Sequence, residues 1–142
     1  MGSDLEEVLE QYHRAVEAVL QGDSSPQERL WSRSEDVTLA NPLGPPARGW
    51  TDVSDALRRA VSQLSDGEEL ASERISGYSG DDLAYTLEIE RCRVKVGGAR
   101  EAAPSSLRVT TIFRREEDGW KIVHRHADPI TTPRPIESVV EE

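Results

Sequence analysis

Gly119-Trp120-Lys121-Ile122-Val123-His124-Arg125-His126-Ala127-Asp128 decides how the rest of this chain is read. It holds two of the three histidines. In an extended backbone, side chains alternate between faces. Trp120, Ile122, His124, His126 and Asp128 therefore share one face, and Lys121, Val123, Arg125 and Ala127 the other. The first face begins apolar and ends ionisable, the pattern of a pocket wall that is dry at its base and polar towards one end. The segment Leu107 to Arg115 just upstream is rich in β-formers, and Glu116-Glu117-Asp118-Gly119 is a link of hairpin length. Symmetric pairing across that link sets Phe113 opposite Ile122, Thr111 opposite His124 and Val109 opposite His126, all facing a cavity. Arg108, Thr110, Ile112, Arg114, Lys121, Val123 and Arg125 then form the reverse face. A bulge would exchange the two faces beyond it.

Composition bounds the rest. A chain of 142 residues is long enough to bury roughly 70% of its unfolded surface as one domain. We expect residues 1–142 to form that domain, with a core over about 4–128 and an irregular tail over 129–142. The single cysteine, Cys92, excludes an internal disulfide and a cysteine metal cluster. Twenty-seven acidic residues against 17 basic ones give a formal charge of −10, which repels nucleic acid and anionic membranes. There is no apolar run of membrane-spanning length, and the first residues lack the basic and apolar regions of a signal peptide. A cytoplasmic protein that binds neither nucleic acid nor membrane is expected.

In chain order, Leu5, Val8, Leu9, Tyr12, Val16, Val19 and Leu20 recur at helical spacing, with Gly22 as a stop. His13 sits at the edge of that stripe. Ser25-Pro26-Gln27-Glu28 fits a capping box opening a short helix to about Trp31. Asp36 to Asn41 alternates as a strand, and Pro42 to Gly49 is a breaker-rich loop. Thr51 is placed to cap a second long helix carrying Val53, Ala56, Leu57, Ala60, Val61 and Leu64. Extended runs follow at Ala71 to Tyr78 and Leu83 to Val96, before the hairpin. A helix, a short helix, a strand and a long helix, then four strands with no helix between them, indicate an α+β fold in which a curved antiparallel sheet wraps around helices.

The candidate chemistry gathers on the last strand. His124 and His126 lie roughly 7 Å apart by strand geometry, and an imidazole near its ordinary pKa suits proton transfer at neutral pH. His126 or His124 would move protons, with Asp128 or a glutamate of a neighbouring strand orienting them. A hydrogen-bonded pair at the open end of the sheet is the alternative. His-x-His on a strand can also hold metal, but no further ligand follows and no metal is expected. In Tyr85 to Arg91 the apolar face is Tyr85, Leu87 and Ile89, which puts Glu88 and Glu90 outside, paired with arginines. A glutamate reaching inward instead would be the best general base in the chain, and Glu90 is the one we single out. Trp31 and Trp50 read as core first and as cavity lining second, alongside Phe113.

Trp31, the segment Val37 to Trp50, and Leu107 to Asp128 with its Asp-Gly-Trp-Lys-Ile-Val-His-Arg-His centre resemble the nuclear transport factor 2-like superfamily, and within it the SnoaL-like and ketosteroid-isomerase-like proteins. The resemblance implies a cone-shaped α+β barrel and a homodimer formed through the convex face of the sheet. It spans nearly the whole chain and is specific for fold, while functions in the superfamily run from isomerases, cyclases and dehydratases to transport factors. Ketosteroid isomerases carry their aspartate base in an Asp-Pro pair, where this chain has Asn41-Pro42. An amide is no base, so that chemistry does not carry over with its usual group. The family's oxyanion-holding acid falls near Thr111, a weaker donor. Asn41 and Thr111 are thus candidates to hold a developing oxyanion. The expectation is a protein that takes a hydrophobic small molecule into an apolar cavity without a cofactor and performs isomerisation, cyclisation or dehydration, the alternative being a non-catalytic dimeric binding or assembly module.

Overall fold

Two amphipathic helices lie against one long, mostly antiparallel sheet, and their facing side chains make the core. The computed structural model describes residues 2–141, so Met1 and Glu142, the ends of the expected domain, lie outside the described residues. Helix α1 is Ser3–Val19, α2 Ser25–Glu28 and α3 Trp50–Val61; the strands are β1 Thr38–Ala40, β2 Ala47–Arg48, β3 Leu64–Ser79, β4 Leu83–Val96, β5 Ala103–Glu116 and β6 Gly119–Asp128. The six strands run in the order β2-β1-β6-β5-β4-β3 in a curved sheet that does not close on itself. All neighbours are antiparallel except β1 and β6. The α+β architecture expected from the sequence is the one observed.

The helices form where the 3.6-residue period requires. α1 buries Leu5, Leu9, Tyr12 and Val16, and α3 buries Val53, Leu57 and Val61. These meet Leu39, Ala84, Val94, Phe113, Trp120 and Ile122 from the sheet, and Trp31. Trp31 is tied to β6 by a parallel bridge to Ile122, so α2 is anchored directly to the last strand.

Local details differ from the reading above. Thr51 is not the cap of α3, which starts a residue earlier at Trp50 after Gly49, and α2 starts after Ser24, with no side-chain cap on either helix. The Ser24 hydroxyl instead donates to Glu28, 2.5 Å away. The loop after β1 contains the short strand β2. Strand β3 begins at Leu64 rather than Ala71, because its irregularities between Ser65 and Glu68 and between Glu69 and Ala71 let turn-type residues stay within a strand. The tail carries a single 3-10 turn, Ile136–Val139. The β5–β6 hairpin closes through Glu117-Asp118, with Glu116 paired to Gly119; at φ +121° Gly119 occupies backbone that L side chains avoid.

Candidate functional site

A β-bulge settles which side chains face inward. Phe113 pairs with Ile122, but Ile112 pairs with His124, so Val123 is an extra residue on β6. Beyond it Thr111 lies opposite Arg125, Thr110 opposite His126 and Val109 opposite Ala127. Up to Ile122 the inward face is the expected one. After it, Arg125 and Ala127 turn inward while His124, His126 and Asp128 turn outward. This corrects the expected face of all three residues, and the physical reason is the parity change that one unpaired residue imposes on a period-two strand.

The outward histidines have surface partners. The Thr38 hydroxyl lies 2.7 Å from His124 Nδ1. His126 Nε2 lies 3.0 Å from Asp128 Oδ2, and Arg108 Nε donates to Asp128 Oδ1 at 2.7 Å. Burial, with the neighbouring His126, lowers the pKa of His124. Along the outer face Tyr78, Tyr85, Ile112, His124 and Thr38 fall in one row across five strands.

Strand β4 also differs from expectation. Ala84, Thr86, Glu88 and Val94 are buried, and Tyr85, Leu87 and Ile89 lie on the outer side. Glu88 and Glu90 therefore both point inward. The carboxylates are tolerated because α1 supplies partners for them. The Tyr12 hydroxyl donates to Glu90 Oε2 at 2.6 Å; Arg125 Nη2 donates to Glu90 Oε1 at 3.2 Å and Nε to the Tyr12 oxygen at 3.0 Å. The Arg125 and Glu90 side chains are 11% and 12% exposed. Burial holds the Tyr12 hydroxyl neutral, well above the ordinary tyrosine range. Burial alone would weaken the charge on Arg125, but Tyr12 and Glu90 outweigh it and keep the guanidinium protonated.

Next along the strand, Glu88 accepts from Arg74 Nε at 3.3 Å and lies 3.0 Å from His13 Nε2. The hydrogen bond to Glu88 raises the His13 pKa. For Glu88 itself burial pushes upward, but His13 and Arg74 prevail and the carboxyl is lowered.

Between α1, α3 and the inner face of the sheet lies a pocket of about 270 Å³. Its walls are mainly aliphatic, from Val16, Leu20, Leu39, Leu57, Val61 and Val94 among others, and Glu90 and Arg125 stand at its polar side with Glu69, Cys92 and Gln27. Asn41 lies at the rim, its Oδ1 accepting from the Leu43 amide at 3.0 Å. Burial raises the Glu69 carboxyl and the Cys92 thiol.

Of the residues singled out from sequence, the structure thus brings Asn41 and Glu90 to the pocket. Trp31, Phe113 and Thr111 are almost fully buried in the core beside it, and Trp50 packs against Trp31 with the rings tilted by 40° and their centroids 6.4 Å apart. His124, His126 and Asp128 are on the opposite side of the sheet. Sequence reasoning missed Arg125, Tyr12 and Gln27 as site residues. Tyr12 had a signal: a hydroxyl within a buried helical stripe needs a partner.

The sequence profile described as the SnoaL-like domain matches residues 5–131. No curated protein matches the chain. Among solved structures, a candidate dehydratase of the NTF2-like family from Streptomyces avermitilis superposes with a TM-score of 0.74 at 21% identity, covering 92% of this chain and 98% of its own. An NTF2-like superfamily protein from Salmonella enterica serovar Typhimurium gives 0.76 at 15% identity, with 93% and 94% covered. A ketosteroid isomerase-like protein from Erwinia carotovora atroseptica gives 0.74 at 14% identity, with 93% and 100% covered. At these identities the likeness is one of fold.

Proposed function

We propose that this chain, which belongs to the SnoaL-like domain family of the nuclear transport factor 2-like superfamily, binds a ring-containing, carbonyl-bearing hydrophobic compound in the pocket beneath α1 and α3. The observation that carries this reading is an ion pair, Glu90 with Arg125, held at the side of an otherwise aliphatic pocket. Apolar walls with a few convergent polar groups are what small-ligand sites require, and about 270 Å³ is near the lower end of their usual range of roughly 300 Å³ and upward.

The chemistry follows from the donors. Arg125 uses Nε for Tyr12 and Nη2 for Glu90, which leaves Nη1 to donate to a carbonyl oxygen and to stabilise charge developing there. Glu90 is the carboxylate placed to take a proton from carbon or oxygen next to that carbonyl, and Tyr12 and Arg125 fix its orientation. Glu69, whose carboxyl burial raises, is the second acid on the pocket's polar side. Isomerisation consists of such proton transfers; dehydration adds the departure of a protonated β-hydroxyl as water, and cyclisation adds a carbon–carbon bond formed by the enolate on a second carbonyl, whose oxygen takes up the proton.

A thermal-shift screen against bicyclic and tricyclic ketones tests the reading. A ligand at a hundred times its dissociation constant adds about 2.7 kcal/mol, a shift of several degrees. Shifts in the wild type that shrink in Glu90→Gln support it; no shift with any ring ketone refutes it. We assign the outer face of the sheet to a second copy of the chain, since Ile75, Tyr78, Leu83 and Tyr85 lie exposed there. Sedimentation should then give a dimer that Tyr85→Arg dissociates, and a monomeric wild type would refute that assignment.

A further inference from the structure

Glu69 lines both the aliphatic pocket and a second cavity, an open depression of about 320 Å³ between α1 and β3 that His13, Glu17 and Leu70 also border. It is half-buried and lies opposite Cys92 in the β3–β4 ladder, so the two reach the pocket from neighbouring strands. The backbone here is loosely held. β3 is the edge of the sheet, bonded to β4 on one side alone, and its ladder is irregular both before Glu68 and after Glu69, which leaves Leu70 unpaired and 53% exposed. Hydrogen bonds tie this stretch to α1 and the turn after it at two places. The Gly67 amide donates to the Leu20 carbonyl at 3.0 Å and Gln21 Nε2 to the Gly67 carbonyl at 2.6 Å; further along, Ser72 Oγ lies 3.4 Å from His13 Nε2. Between those ties, Glu17 and Glu69 bring like charges into one depression. Burial raises the Glu69 carboxyl, and the charges of Glu90, Glu17 and Glu88 add to this while His13 opposes it.

We infer that this seam is a second mouth of the pocket with the Glu69 side chain as its gate, so that the cavity is a passage with a neutral rim at Asn41, Pro42 and Leu43 and an acidic mouth at Glu17 and Glu69. The Glu69 carboxyl opens the passage when it turns to the depression and closes it when it turns to the pocket. The two mouths divide traffic by polarity. An apolar compound crosses the neutral rim, whereas water, and cations in preference to anions, pass the acidic mouth. Under the acid–base reading above, Glu90 then exchanges protons with solvent while the neutral rim is filled. The mouth itself does not depend on which compound fills the pocket.

Cys92, the single cysteine of the chain, reports on the passage from the pocket wall. The whole chain is treated with 2-aminoethyl, methyl or 2-sulfonatoethyl methanethiosulfonate, a cationic, a neutral and an anionic reagent. Each forms a mixed disulfide with Cys92 and releases methanesulfinate, and the rate is read by intact mass. Glu17 is exposed and lines the depression but not the pocket, so Glu17→Lys changes the charge of the mouth and leaves the cavity as it is. In Glu17→Lys the ratio of aminoethyl to sulfonatoethyl rates should fall by roughly tenfold or more, while the methyl reagent, which reports thiol reactivity alone, keeps its rate. Leu43→Lys, which adds charge at the neutral rim, should move the ratio less. Glu69→Ala should speed all three reagents. An unchanged ratio in Glu17→Lys, a larger change in Leu43→Lys, or no modification of the wild type by any reagent overturns the second mouth, and unchanged rates in Glu69→Ala overturn the gate. None of these results touches the ligand reading, which stands or falls on the thermal-shift screen.

Discussion

Replacing Arg125 with methionine would leave Glu90 charged, 12% exposed at its side chain, and paired with the Tyr12 hydroxyl alone. Removing one member of a buried ion pair costs about 3–5 kcal/mol, because the surviving charge stays desolvated. For a chain of this size, at roughly 3 °C per kcal/mol, the melting temperature should fall by about 10–15 °C. The loss is a property of the pair, so it should be largely reversed when the partner goes too. Arg125→Met with Glu90→Leu and Tyr12→Phe replaces three interlocked polar groups by apolar ones of similar volume, an exchange that is often neutral or stabilising. Circular-dichroism melts of the single, double and triple variants give the coupling directly. Arg125→Met within about 1 kcal/mol of the wild type would mean that the pair is effectively hydrated, and additive losses in the triple variant would mean that its members do not act as a unit; either result refutes the reasoning.

Other outcomes follow from the same geometry. The His13–Glu88 pair ties stability to pH: the His13 contribution is full below its ordinary value of 6.5 and fades as pH rises through the raised one, while that of Glu88 is full above 4.5 and is lost as pH falls through the lowered one. Urea midpoints should therefore fall between pH 6 and pH 9 in the wild type and change less in His13→Gln; equal profiles would contradict this. Deleting Val123 removes the bulge yet leaves His124 opposite Ile112 and Arg125 opposite Thr111, so every later side chain keeps its face; the variant should retain a cooperative melt, and its loss would contradict the assignment of Val123 as the extra residue. Gly67→Ala would place its Cβ 2.6 Å from the Leu20 Cβ and 2.8 Å from the Leu20 carbonyl oxygen. We expect that overpacking to cost about 1–3 kcal/mol in denaturant unfolding.

Most of the fold could be read from local patterns. The helical spacing of Leu5, Leu9, Tyr12 and Val16, and of Val53, Leu57 and Val61, marks the helices that later prove buried on those faces, and the hairpin link is where it was expected. The site was much less legible. Val123 is a good strand former with no glycine or proline beside it, so nothing in β6 announces the extra residue that reverses the histidines. In β4 the apolar triplet Tyr85, Leu87, Ile89 is on the outer side, and the polar set is inside because Tyr12 and His13, 78 and 75 residues away, come to meet Glu90 and Glu88. Pairing at that separation belongs to the tertiary fold and leaves no local pattern. Similarly, Asp66 and Gly67 look like a turn and are instead an irregular stretch inside β3.

The most direct test of the central claim, that the polar end of the pocket is Glu90 with Arg125 and not the histidines, is one calorimetric comparison. A ring ketone that stabilises the wild type would be titrated into Glu90→Gln and into the double variant His124→Ala/His126→Ala. Binding should weaken by roughly tenfold or more in Glu90→Gln and stay at the wild-type level in the histidine double variant. Loss of affinity in the histidine variant, with Glu90→Gln unaffected, would place the ligand on the outer face of the sheet and contradict the claim.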